Sequence, residues 1–294
     1  MAIGSTSHPP YRLSGDGHGR WPLVIASPHS GRHYPAALLA GSRLTLAQLR
    51  RAEDAFVDAL LDGIAGVPVL SATHARCWLD LNRRPDELDP AMFDAPLPVP
   101  VAATDRVAAG LGVIPRLAGH GLEINARALP AGEAAARLAG LHIPWHARIA
   151  ALLAAARDRH GCALLLDCHS MPSPGGPRPP QIVLGDCHGQ SAAPAIIDAI
   201  EDHFRRSGWR VARNAPYAGG HTTRAHGRPA LGLHAVQIEI DRALYLDSHR
   251  LALHAGAGRV RAALTGLVQR LVADWPQLAA AAQPAARPWA DAAE

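Results

Sequence analysis

The chain contains no lysine: all 29 of its basic residues are arginine. Schiff-base catalysis, covalent attachment of pyridoxal phosphate and the phosphate-binding P-loop each need a lysine amine, so these chemistries are excluded. The arginines are dispersed among acidic residues instead of forming a basic stretch, although the isoelectric point is about 9.2. We therefore expect no nucleic-acid partner.

Long apolar runs are also absent from the sequence. No stretch approaches the roughly 18 apolar residues of a membrane-spanning helix, and the first residues lack the apolar core of a secretion signal. Cysteine is scarce, with 4 residues and no CxxC pair, which is typical of a reduced intracellular protein. We expect a cytoplasmic protein that does not bind membranes.

Short apolar runs rich in branched residues alternate with longer segments of helical character. The predicted strands are 23–26, 67–70, 163–167, 181–184, 209–212 and 235–240, and the predicted helices are 45–64, 133–159, 190–206 and 248–273. Ser191 is a plausible cap for the third helix, with Pro194 in its first turn. Buried strands separated by helices are typical of an α/β domain whose mainly parallel sheet carries helices on both faces.

The composition divides the chain into three parts. Residues 1–20 are rich in glycine, serine, proline and histidine and are expected to pack loosely. Residues 21–278 are expected to form one domain, because no convincing linker interrupts them. Residues 279–294 are expected to be a disordered tail.

Two histidines come at the carboxyl ends of predicted strands. His29 belongs to "IASPHSG" and His169 to "LLLDCHS". The ligand crevice of an open α/β sheet lies at the carboxyl ends of its strands, so the two imidazoles could meet there. Two histidines and a carboxylate that leave one coordination position open would suit a catalytic zinc ion.

The third ligand is ambiguous between two neighbouring carboxylates. If the helix predicted at 45–64 is regular, Glu53 falls in the middle of its apolar face and Asp54 lies roughly a quarter-turn away. A glutamate on an apolar face is costly unless it is paired or bound to a metal. Periodicity alone therefore favours Glu53.

Further polar groups cluster in three other segments. Glu239 lies inside the apolar run of the last predicted strand, where a second carboxylate could activate water. The segment "RCWLDLNRRP" contributes Arg76, Asn82 and Arg83, and "NAPYAGGHTTRAHGRP" contributes His221 and Arg224. Arginine is well shaped for two-pronged binding of carboxylates, so these segments are candidates for holding an anionic substrate.

Several of these segments together resemble the motifs of a known family. "SPHSGRHYP", "AEDAFVDALL", "RCWLDLNRRP", "LLLDCHSMPS", "NAPYAGGHTTRAHGRP" and "HAVQIEIDRALYLD" resemble, in that order, motifs of the N-formylglutamate amidohydrolase family. The resemblance implies a phosphorylase/hydrolase-like α/β fold related to the zinc carboxypeptidases. It also implies a zinc-dependent hydrolase that splits N-formyl-L-glutamate into formate and glutamate, late in histidine degradation.

The resemblance carries roles to individual residues. His29 and His169 match the expected metal ligands, and the carboxylate position matches Asp54 instead of Glu53. Glu239 matches the glutamate expected to act as general base. We assign Arg76 to the oxyanion, and the residues expected to bind substrate are Asn82, Arg83, Ser170, His221 and Arg224. One zinc ion per chain is expected, although such a site also accepts other divalent ions.

Three alternatives stay open. A metal hydrolase acting on another N-acyl amino acid or a small peptide would share every ligand. A cysteine hydrolase using Cys168 with His169 would be inactivated by thiol alkylation and indifferent to chelators. A non-enzymatic α/β module that binds anions or nucleic acid would hold no metal, and nucleic-acid binding would depend steeply on salt.

Overall fold

The computed structural model describes residues 8–118 and 121–282, in which one large sheet lies between two layers of helices. The strands are β1 (Tyr11–Ser14), β2 (Leu23–Ser27), β3 (Val69–Ala72), β4 (Leu117–Ala118), β5 (Leu122–Glu123), β6 (Ala163–Met171), β7 (Ile182–Gly185), β8 (Val211–Arg213), β9 (Leu233–Asp241), β10 (Leu246–Asp247) and β11 (Ala252–Leu253). The α-helices are α1 (Ala36–Gly41), α2 (Leu46–Leu49), α3 (Val57–Leu61), α4 (Asp105–Ala108), α5 (Gly132–Arg137), α6 (Ile143–His160), α7 (Pro194–Arg206), α8 (His221–His226), α9 (Ala257–Ala273) and α10 (Trp275–Ala282).

The large sheet has the strand order β1-β3-β2-β6-β9-β7-β8. Strands β3, β2, β6 and β9 run parallel, β1 is antiparallel to β3, and β7 is antiparallel to β9. The predicted α/β fold with a mainly parallel, mixed sheet is confirmed. The carboxyl ends of the four parallel strands meet at one edge, so polar residues at these ends become neighbours.

Alternate side chains of β6 enter two different cores, as expected for a strand buried on both faces. Leu164, Leu166 and Cys168 pack in a core that also contains residues of α3, α7, α9 and α10. Leu165 packs on the opposite face with residues of α6. This alternation sends Asp167 and His169 to the α6 side of the sheet.

Strands β6 and β9 are longer than the sequence predicts. They pair in parallel register from Ala163 with Leu233 to Met171 with Asp241. His169, expected just beyond its strand, lies within it and is the register partner of Glu239. Polar side chains suggest the end of a strand, but the backbone ladder continues because its hydrogen bonds do not depend on side-chain polarity.

The prediction of one regular helix over residues 45–64 is wrong. Helix α2 ends at Leu49, a 3-10 turn follows, and Glu53 has extended backbone angles of φ −68° and ψ 148°. Phe56 then adopts a left-handed conformation (φ 63°) immediately before α3 begins. The Asp54 backbone N–H donates to His29 O at 3.0 Å, a tertiary hydrogen bond that replaces the helical one.

Two predicted helix starts are also shifted. The Ser191 hydroxyl donates to Ala235 O at 2.8 Å instead of capping a helix, and α7 begins at Pro194 after Ala193. In the segment predicted as helix from 248, residues 252–253 pair with β10, and α9 begins only at Ala257. A tertiary contact replaces the helical preference in the first place, and a local hairpin between β10 and β11 replaces it in the second.

The ends of the chain differ in part from expectation. Tyr11–Ser14, inside the segment expected to pack loosely, forms the edge strand β1 against β3. The burial of β1 alternates, since Tyr11 and Leu13 pack against the core while Arg12 and Ser14 are exposed. The expected tail from residue 279 begins inside α10, and residues 283–294 lie outside the described part of the chain.

Candidate active site

Three side chains converge at the carboxyl edge of the sheet. His29 follows β2, His169 lies near the end of β6, and Asp54 lies in the break between α2 and α3. Asp54 Oδ2 is 3.3 Å from His29 Nδ1 and 3.0 Å from His169 Nδ1, and the two Nδ1 atoms are 3.1 Å apart. All three side chains are about 98% buried.

Carboxylates lie behind both imidazoles, and the one behind His29 sets the position of its proton. His29 Nε2 donates to Asp80 Oδ1 at 2.7 Å, and His169 Nε2 lies 3.1 Å from Oδ2 of the fully buried Asp167. Burial alone would raise the pKa of Asp80, but Arg76 and His29 hold this pKa well below its ordinary value. An ionised carboxylate only accepts, so the proton of His29 lies on Nε2 and the Nδ1 lone pair of this ring faces Asp54 Oδ2. The Nε2 atom of His169 also lies 3.2 Å from Asn82 Nδ2.

This arrangement fits a divalent cation. The two Nδ1 atoms and the Asp54 oxygen lie close enough together for one positive charge to bridge them. Ligand atoms 2.0–2.1 Å from a tetrahedral zinc ion lie roughly 3.3 Å from one another, near the separations among His29, Asp54 and His169. A carboxylate behind each metal-binding histidine is also the usual outer shell of such sites. Asp54, His29 and His169 would hold the ion and leave a fourth position open.

The structure distinguishes between the two candidate carboxylates. Glu53 points away from the cluster, where it accepts hydrogen bonds from Tyr34 Oη and from Arg50 Nε, the latter at 3.0 Å. Asp54 instead joins both histidines. The break in the helix rotates Asp54 into the site, which periodicity could not show.

Arg242 completes the surroundings of Asp54. Its Nη2 donates to Asp54 Oδ1 at 2.9 Å, so Oδ2 is the oxygen directed at the histidines. The Nε of Arg242 donates to Ser170 Oγ at 3.2 Å. Ser170 lines the pocket, and in this structure its hydroxyl helps to position Arg242.

Glu239 stands beside His169 in the neighbouring strand. It is 8% exposed, and its Oε1 accepts a hydrogen bond from Gln237 Nε2 at 2.9 Å. Burial raises the pKa of Glu239 to about 7, and the carboxylates of Asp54 and Asp167 add to this rise while His169 and Arg76 oppose it. A carboxyl group with a pKa near neutrality can both accept and return a proton at physiological pH.

The three clustered residues and Glu239 open into a pocket of about 380 Å³. This volume suits a small molecule. Five arginines line the pocket in addition to the carboxylates: Arg76, Arg83, Arg106, Arg224 and Arg242. Such a lining favours an anionic ligand.

Asn82 is packed against Gly220 in the wall of the pocket. Asn82 Oδ1 accepts from Thr222 N at 2.8 Å, and its Nδ2 lies 3.4 Å from Gln237 Oε1. A Cβ atom at Gly220 would lie 2.3 Å from both Asn82 Nδ2 and Oδ1. Glycine at 220 is therefore what lets Asn82 reach this position.

One predicted substrate-binding residue lies elsewhere. The residues predicted to line the pocket do so, except for His221, which is not among its lining residues. The ring of His221 lies against those of His142 and His146, with centroids 5.6 and 4.9 Å away. Helix α8 begins at His221 and packs on α6, so this side chain is turned toward α6.

Several site residues were missed by the sequence analysis. Arg106, Tyr217, Gln237 and Arg242 line the pocket, and Asp80 and Asp167 stand behind the two histidines. Asp167 could have been found from strand alternation, because it is two residues before His169 and faces the same side. Arg106 lies in the short helix α4, far from the other site residues in sequence, and carries no local signal.

Two further findings bear on the alternatives. Cys168 is 1% exposed and lies in the apolar core on the face of β6 opposite to His169, and burial raises the pKa of its thiol. That placement does not suit a nucleophile, which needs access to substrate and an activating base. None of the helices in the described ranges is long and apolar enough to cross a membrane.

A buried His–Asp–His set next to a buried glutamate, at the carboxyl edge of a mainly parallel sheet, is typical of metal-dependent hydrolases. Comparisons with known proteins narrow this class. The family model for N-formylglutamate amidohydrolase matches residues 21–246. The chain belongs to the N-formylglutamate amidohydrolase family, and it is a hydrolase that acts on an amide C–N bond.

Individual relatives agree with this assignment. An N-formylglutamate deformylase of Pseudomonas aeruginosa is 33% identical over 267 residues, covering 87% of this chain and 94% of the relative. An N-formylglutamate deformylase of Pseudomonas putida is 30% identical over 238 residues, covering 78% of this chain and 83% of the relative.

Solved structures confirm the fold. The crystal structure of an N-formylglutamate amidohydrolase from Ralstonia eutropha superimposes with a TM-score of 0.84 at 33% identity, covering 91% of this chain and 99% of that one. A protein from Agrobacterium tumefaciens shares the fold with a TM-score of 0.65 at 19% identity, covering 90% of this chain and 94% of that one.

Proposed function

We propose that this chain hydrolyses N-formyl-L-glutamate to formate and glutamate, with a zinc ion held by His29, Asp54 and His169. The observation that carries the proposal is the register of β6 and β9, which sets Glu239 beside His169 at the floor of an arginine-lined pocket. The two Pseudomonas relatives, both named as N-formylglutamate deformylases, support the choice of substrate.

The chemistry divides between the ion and the chain. A zinc ion at this site would lower the pKa of water and polarise a carbonyl group. Glu239 accepts the proton of the attacking water as the new C–O bond forms at the formyl carbon. Glu239 then delivers that proton to the amide nitrogen as the C–N bond breaks, so that the amine leaves neutral. The raised pKa of Glu239 suits both steps.

Arg76 is the proposed stabiliser of the oxyanion. Its Nε donates to Asp80 Oδ2 at 2.9 Å, which fixes the guanidinium at the wall of the pocket. Preorganised cationic donors stabilise the developing negative charge because they need no reorientation during the reaction. Asp80 therefore serves both His29 and Arg76.

The remaining arginines are the proposed carboxylate ligands. N-formyl-L-glutamate carries two carboxylates, and the pocket wall offers Arg83, Arg106 and Arg224. Asn82, fixed by Thr222 N, would hold one carboxylate together with Arg83. A neutral acyl amino acid could not form the charge-assisted hydrogen bonds that a carboxylate forms with these arginines.

Release of formate from a panel of substrates tests this proposal. The panel contains N-formyl-L-glutamate, N-formyl-L-aspartate, N-formyl-L-glutamine and N-formylglycine, with N-acetyl-L-glutamate assayed by release of the amine. We expect N-formyl-L-glutamate to have the highest kcat/KM, and activity to be lost on chelation and restored by zinc. Absence of amide cleavage in the whole panel by zinc-loaded protein would contradict the proposal.

A matched pair of arginine variants tests substrate recognition. Arg224 lines the pocket, whereas Arg228 lies four residues further along and does not line it. We expect Arg224→Gln to raise KM for N-formyl-L-glutamate by about 10- to 100-fold, the range for loss of a charge-assisted contact. Arg228→Gln should leave KM unchanged. An equal rise in KM in the two variants would indicate that the loss of positive charge weakens substrate binding at long range, without a direct contact between Arg224 and a substrate carboxylate.

The runner-up function is hydrolysis of another acidic N-acyl amino acid. The arginine lining recognises carboxylates but does not by itself discriminate between a formyl and an acetyl group. Preference for N-acetyl-L-glutamate in the panel would favour this alternative.

A further inference from the structure

A second group of histidines lies beside the active site and takes no part in the proposed chemistry. His142 lies in the π-helical turn before α6, His146 in α6, and His221 and His226 in α8. The ring centroids of His142 and His146 are 4.4 Å apart, those of His146 and His221 are 4.9 Å apart, and those of His146 and His226 are 5.2 Å apart.

Hydrogen bonds to carbonyl groups determine which nitrogens carry protons in two of these rings. His142 Nε2 donates to Arg83 O and His146 Nε2 donates to Leu81 O, both at 2.9 Å. A carbonyl oxygen only accepts, so both protons lie on Nε2 and both Nδ1 atoms carry lone pairs. His226 Nε2 lies 2.9 Å from His146 Nδ1 and donates to it.

The rings are neutral at physiological pH. Burial, reinforced by the neighbouring histidines, lowers the pKa of His146 to about 2 and that of His221 to about 4. Neutral imidazole is the form that binds transition metals, so an ion would meet little competition from protons here.

We propose that His142, His146 and His221 form a second site for a divalent transition-metal ion such as zinc, distinct from the site at His29, Asp54 and His169. One ring nitrogen from each residue lies within 4.8 Å of the other two. Ligands of one zinc ion lie roughly 3.3 Å apart, so small ring rotations complete the set. The ion would compete with His226 for the lone pair of His146 Nδ1.

The surroundings give the site access. His221 lines a second cavity together with two carboxylates and three arginines, which are Asp86, Glu87, Arg84, Arg106 and Arg224. Both carboxylates act on the His221 ring through their charge. The cavity is a route for an ion from solvent, and of its two carboxylates Asp86 is already paired with Arg84.

The site would act on the loop that serves the substrate pocket. His146 and His142 hold the carbonyls of Leu81 and Arg83, on either side of Asn82. The backbone N–H of His221 lies 3.3 Å from Asn82 O and donates to it. An ion that ties the three rings together would therefore stiffen the segment that presents Asn82 and Arg83 to substrate.

Metal stoichiometry tests the proposal without reference to activity. Tag-free protein is stripped with chelator, dialysed against excess zinc, freed of unbound zinc and measured by elemental analysis. We expect about two zinc ions per chain in the wild type, about one in His221→Gln and about one in His29→Ala. The double variant should hold none, and circular dichroism checks that each variant is folded.

A matched control excludes binding by any stacked pair of histidines. His33 stacks on His8 with ring centroids 3.9 Å apart, outside both proposed sites. His33→Gln should keep both zinc ions. One zinc ion per wild-type chain, or two in His221→Gln, would overturn the second site. If the wild type binds two zinc ions and each variant loses the expected ion, but the zinc-loaded wild type cleaves no amide, only the proposed function is rejected.

Discussion

The two histidine groups differ in the acceptors that lie next to their Nε2 atoms. The first group is His29 and His169 with Asp54, and the second group is His142, His146, His221 and His226. Carboxylates stand behind the first group, with Asp80 on His29 and Asp167 on His169. Backbone carbonyls stand behind the second group, with Arg83 O on His142 and Leu81 O on His146. A carboxylate makes an imidazole a stronger ligand than a carbonyl does, and the first group also contains the anionic Asp54.

This difference separates a site suited to catalysis from one suited to structural support. The first group lies at strand ends and opens into a pocket that contains Glu239, the proposed general base. The second group lies between α6 and α8 and contains only neutral donors. A single loop, residues 80–83, touches both groups, so substitutions near it should separate their contributions.

The largest expected effect comes from Glu239→Gln. The amide cannot accept the proton of water, so kcat should fall by about 100- to 10,000-fold while bound zinc is retained. Formate release and zinc content measured on the same sample check this. Retention of most of the activity would show that Glu239 is not the general base. Loss of zinc would show that Glu239 instead supports metal binding at the first group.

In protein freed of metal by a chelator, Glu239 and His221 should change the free energy of unfolding with pH in opposite directions. Burial raises the pKa of Glu239 from 4.5 to about 7, so its contribution to stability is complete below pH 4.5 and is lost as the pH rises to about 7. Burial lowers the pKa of His221 from 6.5 to about 4, so its contribution is complete above pH 6.5 and is lost as the pH falls to about 4.

Urea unfolding between pH 5 and pH 6.5 measures these opposite slopes. Relative to the wild type, the free energy of unfolding of Glu239→Gln should rise more steeply with pH, and that of His221→Gln less steeply. Each difference approaches about 1 kcal/mol per pH unit. Parallel curves for all three proteins would contradict the assignment of opposite signs.

Asp80→Asn should weaken zinc binding at the first group alone. An amide can still accept from His29 Nε2 but lacks the charge that strengthens the ligand, so affinity should fall by about 10- to 100-fold. Competition with a chelator measures it, and the ion proposed at the second group serves as internal control. Equal weakening at both groups would indicate distortion of the shared loop.

Gly220→Ala tests the contact between the loop and α8. The added Cβ would lie 2.3 Å from the Asn82 side chain and displace it, and we expect kcat/KM to fall by about 10-fold, as for loss of one hydrogen-bonding contact. The control is Gly132→Ala, where a Cβ has nothing within 4 Å. Unchanged kcat/KM in Gly220→Ala would show that the position of Asn82 does not matter for substrate.

The smallest effect is expected from Cys168→Ala, which leaves both groups intact. Loss of a buried thiol should lower the free energy of unfolding by about 1 kcal/mol. The value of kcat should change by less than about twofold, because the Sγ atom lies in the core opposite His169. A folded Cys168→Ala variant without activity would support the alternative in which Cys168 is the nucleophile of a cysteine hydrolase.

The sequence by itself determined the class of fold and most of the residues at the site. Buried, branched runs such as that of β2 were recognisable because they are apolar throughout. The histidines at the ends of β2 and β6 could be paired in advance, because parallel strands share their carboxyl edge. The family motifs then added Asp54 and Glu239.

Only the tertiary structure decided how these residues are arranged. The break before α3 turns Asp54 into the site and Glu53 out of it, because a hydrogen bond to His29 O replaces the helical one. Asp80 and Asp167 became recognisable behind the histidines, and His221 moved to a different group, once the strands and helices were packed. Local preference acts over a few residues, whereas the direction of a side chain at a site depends on contacts between segments far apart in sequence.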